Sequence, residues 1–384
     1  MTEKGRFLSG NRARPVVLFL LTILIGLSLV NFGFYSVDEE SYTYLTRSIA
    51  LEGRLDFKSD YPLTGSDLHR AHFSVVSGGR IYSVFPPGYP LLAAPFYRVF
   101  GIKGMQLANI FFTALLTVVF YHFTKHFYPE TQGFSWALLP IAATQLLNYS
   151  VSQWSHITAA LLILLGFHML FKGRPTLAGL AIGLAITTRY TAVVPFIFFL
   201  PYQFKRARGK VPLLLAGALV GLLPLLAYNT AAFGSPFTSA MTILNAEIGL
   251  STFNISQLPK TLVTNIIHYT FFPGLEYTYN KSSLIETSPF LVFAVLGAGM
   301  LWNEKRHMRA ETTTILASIA AFIIFISGTW SLGGLAHNMR LLTDIMPLIA
   351  FLAVIPILQL NLNRRVVLAA SVLLAAALAL LHAP

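Results

Sequence analysis

Residues 15–40 read PVVLFLLTILIGLSLVNFGFYSVDEE. The run from Pro15 to Phe34 carries no charge and is long enough to cross the hydrocarbon of a bilayer. Three carboxylates, Asp38, Glu39 and Glu40, follow almost at once. Ahead of the run stand Lys4, Arg6, Arg12 and Arg14. A basic flank before an apolar run looks like a secretory leader, but no small-residue cleavage site follows it. The stretch therefore reads as an uncleaved first span that starts in the cytoplasm and delivers acidic side chains to the far face.

The rest of the chain has the same character. Of 384 residues, 55% are hydrophobic and 11% charged, and the mean hydropathy is +0.65. Soluble domains carry roughly 25% charged residues, so a cytosolic globule, a disordered chain and a nucleic-acid-binding module are all excluded. The net charge of +12 belongs to cytoplasmic loops. With no cysteine, disulfides, thiolate metal sites and thiol nucleophiles are ruled out. Further spans are predicted at about 105–126, 133–149, 155–171, 176–189, 190–204, 211–233, 286–302, 311–329, 340–359 and 365–382, with 176–204 the place where a helix is broken or re-entrant. The expected fold is an all-α polytopic membrane protein of about 11 transmembrane helices. It is read as one transmembrane domain over residues 1–384 with no separate soluble domain.

Charge supports the orientation. With the N-terminus inside, sixteen of the 27 basic residues fall in short cytoplasmic segments, among them Lys125, Lys172, Arg174, Arg206 and Arg309. Ten of the 15 carboxylates fall outside. Two extracytoplasmic loops, 35–104 and 234–285, are too polar to span, and loops of that length usually carry function. In the first, Tyr42, Leu45 and Ile49 recur at helical spacing and predict an amphipathic interfacial helix. The segment Phe85-Pro86-Pro87-Gly88-Tyr89-Pro90-Leu91 predicts a second interfacial or re-entrant helix, and 255–269 could form another.

The expected chemistry gathers at the outer face. Asp38 and Glu39 could cap and charge the first interfacial helix. They could equally supply a general base or a metal ligand held at membrane depth, and the two roles are compatible. Arg189 and Arg340 are charges at a depth where charge is costly, which marks functional candidates. Paired arginines suit anions, phosphates above all. The bland alternatives are a snorkelling Arg189 and an Arg340–Asp344 pair one helical turn apart. His156 and His337 lie near these cations, and Tyr42 and Tyr89 line the same segments; all four are taken as substrate-binding. His69 and His72 are spaced closely enough to chelate, which is weak evidence alone. No zincin helix, Walker loop or dinucleotide fingerprint occurs.

Taken in order, these motifs resemble the GT-C fold glycosyltransferases of the broad family 39 type, which include the protein O-mannosyltransferases and the aminoarabinose transferases of lipid A. The likeness rests on Asp38-Glu39 after span one, on the aromatic-Pro-Pro-Gly stretch Phe85 to Leu92, on Asn229 to Phe237, and on Trp330-Ser331-Leu332-Gly333-Gly334 running through Arg340 to Pro347. The resemblance implies transfer of a sugar from a polyprenyl-phosphate carrier to an acceptor hydroxyl (of a lipid, glycan or protein) on the extracytoplasmic face of the plasma membrane. It implies Asp38 as general base with inversion, Glu39 as its support or an acceptor contact, and Arg340 and Arg189 against the leaving phosphate. Many relatives carry an acidic residue where this chain has His156. His156 is therefore expected to touch the carrier phosphate or the acceptor, and a metal-bridging carboxylate pair is put in doubt. No cofactor is specified, and the metal ligands, if a divalent metal takes part, are unknown. A lipid-linked saccharide flippase or transporter, and an oligosaccharide polymerase or ligase, are the alternatives. The first would show paired repeats, the second arginine-rich outer loops.

Overall fold

The structure, a computed structural model, describes residues 10–34, 36–57, 74–130, 134–247, 259, 262–263, 266–267, 283–328 and 340–359. Helix α1 (Gly10–Leu29) is the first apolar run. After it, α2 (Val37–Arg47) closes in one π turn (Ser48–Glu52). A hairpin of β1 (Ser74–Ser77) and β2 (Arg80–Ser83) leads to α3 (Gly88–Phe100) and the long α4 (Lys103–Phe127). Two short helices, α5 (Leu139–Ala142) and α6 (Leu146–Ser150), precede α7 (His156–Phe171) and α8 (Pro175–Thr188). Then come α9 (Val193–Ala207), α10 (Val211–Phe233), α11 (Ala240–Glu247) and α12 (Leu284–Thr287). The last described elements are α13 (Phe293–Glu304), α14 (Arg309–Ser327), a 3₁₀ turn (Arg340–Ile345) and α15 (Met346–Gln359).

Among the described residues, four helical stretches are long and apolar enough to cross a membrane: Lys103–Phe127, Tyr190–Phe233, Arg306–Ser327 and Arg340–Gln359. The second is 44 residues long and turns at Arg208–Lys210. Shorter apolar helices accompany them, including Ala13–Leu29 and His156–Phe171. Burial is inverted relative to a soluble protein. Leu20, Leu24, Leu219 and Val295 face outward, whereas Gln106, Asn109, Thr113 and Thr117 of α4 are buried. Outward leucine with inward amide and hydroxyl is the arrangement a lipid solvent selects. The chain is an integral membrane protein of all-α class.

Glycine sets the closest helix contacts. Gly179 and Gly183 of α8 face Gly217 and Gly221 of α10, and a β-carbon on any of the four would run into backbone of the opposite helix. The two small-xxx-small stripes let the backbones touch, and Thr187 Oγ1 donates to Gly221 O at 2.8 Å across the seam. Gly297 of α13 meets the carbonyl of Leu352 on α15 in the same way.

Two expectations are corrected. The predicted span 133–149 is broken into a 3₁₀ turn (Ser135–Leu138), α5 and α6. Its polar Thr144-Gln145 is the reason: Thr144 Oγ1 bonds back to Pro140 O, and the Gln145 amide reaches Thr343 Oγ1 at 2.8 Å. The break expected within 176–204 is present: α8 ends at Thr188, Arg189 is extended, and a 3₁₀ turn (Tyr190–Ala192) leads into α9. The first interfacial helix is also more enclosed than an amphipathic surface helix, because residues 38–46 are buried on every face. The segment 365–382 lies outside the described residues, as does most of 255–269.

The outer loop has a small core of its own, with Tyr44, Leu45, Phe57, Val75, Tyr82, Val84 and Tyr228 packed together. The hairpin turns through Gly78 (φ 56°) and Gly79 (φ 74°), the left-handed geometry a two-residue turn needs. Asp56 is paired with Arg54 and with Arg80 of β2. The Arg54 guanidinium holds the Asp56 carboxyl below its ordinary range.

Gly297 and Gly299 lie two residues apart on α13, yet only the first has a neighbour within reach of a β-carbon. Gly297→Ala should destabilise the protein by about 1–3 kcal/mol through overpacking. Gly299→Ala should be neutral or slightly stabilising. Thermal unfolding of the detergent-solubilised variants separates the two; equal melting temperatures would refute this packing.

Candidate active site

The site begins with the way α2 starts. Ser36 is extended, and its N–H donates to Glu39 Oε2 at 3.2 Å. Glu39 Oε1 accepts from the Gln153 N–H at 2.7 Å. Glu39 thus ties two backbone segments together and fixes the residue before it. Asp38 is buried, at 4% exposure, and its Oδ2 accepts from Arg340 at 2.7 Å. One turn along, the Tyr42 hydroxyl lies 2.8 Å from Ser155 Oγ. Burial raises the Tyr42 phenol above its ordinary range, so it serves as a neutral hydroxyl.

A second carboxylate lies deeper. Asp344 is fully buried: its Oδ1 is 2.8 Å from His156 Nδ1, and its Oδ2 accepts from Arg189 Nε and Thr191 Oγ1, both at 2.7 Å. Arg189 also reaches Ser155 Oγ at 3.3 Å. The network runs from Asp38 through Arg340 to its 3₁₀ turn, on to Asp344 and Arg189, and back through Ser155 to Tyr42. Trp154 stiffens it, with the Arg340 guanidinium 4.7 Å from its ring and the His156 ring stacked at 5.6 Å. Tyr149 flanks the same imidazole at 4.9 Å.

Arg340 and Asp344 do not pair with each other, contrary to the bland alternative, and the winding explains it. On an α-helix, residues four apart share a face. Arg340–Ile345 is wound as 3₁₀, where residues three apart eclipse and the fourth has turned away. Arg340 is thereby directed to Asp38, and Asp344 to Arg189 and His156.

The helices that carry these groups are held from behind. Asn109 Nδ2 donates to the carbonyls of Ser152 (2.8 Å) and Trp154 (2.7 Å). Gln106 Nε2 donates to Asn31 O at 3.1 Å and Val151 O at 2.9 Å. Two amides of α4 thus pin the 151–154 segment and the end of the first span. Gly88 lies against the Thr187 backbone and the Thr188 hydroxyl, immediately before Arg189, and a β-carbon there would collide with both. The Pro-Pro-Gly stretch is therefore a support for Arg189. Tyr89 donates to Met105 O at 3.0 Å and meets Tyr42 edge to face at 5.6 Å, while Phe85 stacks on Tyr42 at 4.5 Å.

Of the residues selected by sequence, Asp38, Glu39, Tyr42, His156, Arg189 and Arg340 come together. Tyr89 contributes packing and a backbone hydrogen bond. His337, His69 and His72 lie outside the described residues. Sequence reasoning passed over Asp344 as more than a local partner, and over Gln106, Asn109, Trp154, Ser155 and Thr191. The signal available was amide side chains inside an otherwise apolar span. Among the described residues no group of three His, Asp or Glu side chains is placed to hold a metal ion. Asp38 and Asp344 are instead each engaged by arginine.

Removing one partner from a buried ionic cluster leaves the others uncompensated. Asp344→Ala should therefore cost about 3–5 kcal/mol and lower the melting temperature sharply, whereas loss of the more peripheral Arg54–Asp56 pair in Asp56→Asn should cost far less. Similar thermal shifts for the two would show that Asp344 is not the hub.

No family model matches the chain, and no curated protein matches its sequence. Solved structures match its fold. ArnT from Cupriavidus metallidurans bound to undecaprenyl phosphate superposes with a TM-score of 0.55 at 15% identity, covering 97% of this chain and 64% of that one. The apo oligosaccharyltransferase of Archaeoglobus fulgidus gives 0.50 at 14% identity, covering 98% and 55%. The Archaeoglobus fulgidus oligosaccharyltransferase AglB in complex with an inhibitory peptide and a dolichol-phosphate gives 0.50 at 15%, covering 96% and 54%. The chain thus spans less than two thirds of the length of the proteins it resembles. At these identities the likeness is one of architecture, and the architecture of this chain is the GT-C fold.

Proposed function

We propose that the chain is an integral membrane glycosyltransferase that moves a sugar from a polyprenyl-phosphate carrier to an acceptor hydroxyl on the extracytoplasmic face, with inversion at the anomeric carbon. The observation that carries this reading is the Asp38–Arg340 pair, buried at one end of an apolar bundle beside a second arginine-bearing cluster. It is joined by the fold shared with structures solved with undecaprenyl phosphate and with a dolichol-phosphate. The opposite end carries Lys125, Lys172, Arg174, Lys205, Arg206 and Arg309, the signature of a cytoplasmic face, so the N-terminus is assigned to the cytoplasm.

In this reading the ion pair is a resting state. An incoming carrier phosphate competes for Arg340, which is 17% exposed and the more accessible partner. Once Arg340 turns to the phosphate, the Asp38 carboxylate oxygen it held is open to another hydrogen-bond donor. That carboxylate then takes the proton of the acceptor hydroxyl. The hydroxyl oxygen bonds to the anomeric carbon, the bond from that carbon to the phosphate oxygen breaks, and the electron pair leaves with the lipid phosphate. Arg340 and Arg189 stabilise the charge that develops there. Glu39 holds Asp38 in place through the start of α2. Acceptor recognition falls to the outer loop with its hairpin.

Asp38→Asn should abolish transfer. Because about 1 kcal/mol of ion pairing no longer competes for Arg340, it should also bind undecaprenyl phosphate several-fold more tightly than wild type. Arg340→Ala should weaken that binding by about tenfold or more, the worth of a charge-assisted hydrogen bond. Binding measured in nanodiscs, with mass spectrometry of the co-purifying lipid, tests both. Wild-type turnover by Asp38→Asn removes Asp38 from the base role, and unchanged carrier affinity in Arg340→Ala makes the pair purely structural.

A further inference from the structure

His156 is enclosed completely, yet among the described residues only one of its nitrogens has a partner. Nδ1 lies 2.8 Å from Asp344 Oδ1, while Nε2 is buried without a hydrogen bond. A buried polar atom left open in this way calls for a reason. The protonation pattern follows from the neighbours. Asp344 already accepts from Arg189 and Thr191, so it is an ionised acceptor and Nδ1 must be the donor. A second proton, on Nε2, would place an imidazolium among the guanidinium groups of Arg189 and Arg340 and leave its N–H orphaned. The neutral ring with hydrogen on Nδ1 avoids both, and leaves a lone pair on Nε2. Trp154 and Tyr149 both pack against the ring, and the Nδ1 bond to Asp344 fixes its orientation, so the lone pair has a set direction.

A lone pair selects its ligand by chemistry. A phosphate diester oxygen carries no proton, and a monoester, whose last pKa is about 6, has lost its own by about pH 8, the pH of the test below; either would be repelled. An alcohol has one. We propose that His156 is a hydroxyl reader: Nε2 accepts a hydrogen bond from a substrate alcohol, carried by the transferred sugar or by the acceptor, and does not contact the phosphate. The inference rests on the glycosyltransferase reading above and assigns His156 a role distinct from that of the arginines. Arg340 stands over Trp154, the same ring that stacks on His156. Its departure from Asp38 toward a phosphate would uncover Trp154, the ring against which the imidazole stacks. The phosphate contact would therefore come first, and the hydroxyl contact second.

The test uses the full chain in nanodiscs at about pH 8 with ¹⁵N-labelled histidine, His156 being assigned by the signal lost in His156→Gln. Ligand-free protein should show one protonated and one unprotonated nitrogen for His156. Undecaprenyl phosphate alone should leave the unprotonated resonance in place. Undecaprenyl phosphate bearing glucose, mannose or N-acetylglucosamine, or a soluble alcohol acceptor such as a methyl glycoside, should move it toward the hydrogen-bonded range; whichever arm moves it identifies the source of the hydroxyl. His156→Phe should weaken binding of that ligand about three- to tenfold, the worth of one neutral hydrogen bond, while bare undecaprenyl phosphate binds as before. An imidazolium in the ligand-free protein would overturn the proposal, as would a shift on bare undecaprenyl phosphate. So would a resonance that stays still while a sugar-bearing carrier demonstrably displaces the bare one, since water would then be its only partner. Failure of every carrier to bind would overturn the glycosyltransferase reading itself and this inference with it.

Discussion

Charge taken out of water governs this structure. Asp38, Asp344, Arg189 and Arg340 meet at one end of an apolar bundle, each bonded to a group of opposite sign. Isolated, any one of them would be prohibitively costly at that depth, and together they are tolerated only while every member keeps its partner. Much of the remaining architecture serves that condition. The amides of Gln106 and Asn109 hold the segment bearing Trp154 and His156, the 3₁₀ turn separates Arg340 from Asp344, and the glycine seam between α8 and α10 brings Arg189 to its place.

Such a cluster is a poor stabiliser and a good recogniser. Replacing it with well-packed apolar side chains would cost little in stability, by the usual balance of desolvation against Coulomb attraction. What it offers, on the reading proposed above, is one arginine, Arg340, able to exchange its carboxylate for an anion while Arg189 stays held by Asp344. The two carboxylates have different surroundings. Asp38 has one arginine, at the margin of the cluster, whereas Asp344 is surrounded by three donors. The first sits in the more exposed pair and the second is held from three directions, which is why we propose Asp38, and not Asp344, as the base.

The fold was legible in the sequence because apolar run length is a direct consequence of bilayer thickness. Arg189 and Arg340 stood out for the same reason, as charges where charge is expensive. Their partners did not. Sequence spacing assumes α-helical winding and so pairs Arg340 with Asp344, while the actual pairing crosses the chain from residue 340 to residue 38. The interrupted span at 133–149 was hidden because its composition is apolar; the bend is set by Thr144, which bonds back to Pro140, and by Gln145, whose partner Thr343 lies far along the chain. The hairpin was within reach, since Gly78-Gly79 between Val75-Val76 and Ile81-Tyr82 is a turn signal, but it was masked by the expectation of helices in that loop.

Gly88 meets the Thr187 backbone and the Thr188 hydroxyl so closely that a β-carbon there has no room. Side chains are the compliant layer of a protein, able to change rotamer and absorb a displacement. Here that layer is thinned to a single hydroxyl. A displacement of α3 has little slack to take up before it meets the end of α8, the residue before Arg189. The chain thereby owns a stiff linkage between its outer loop and a buried cation.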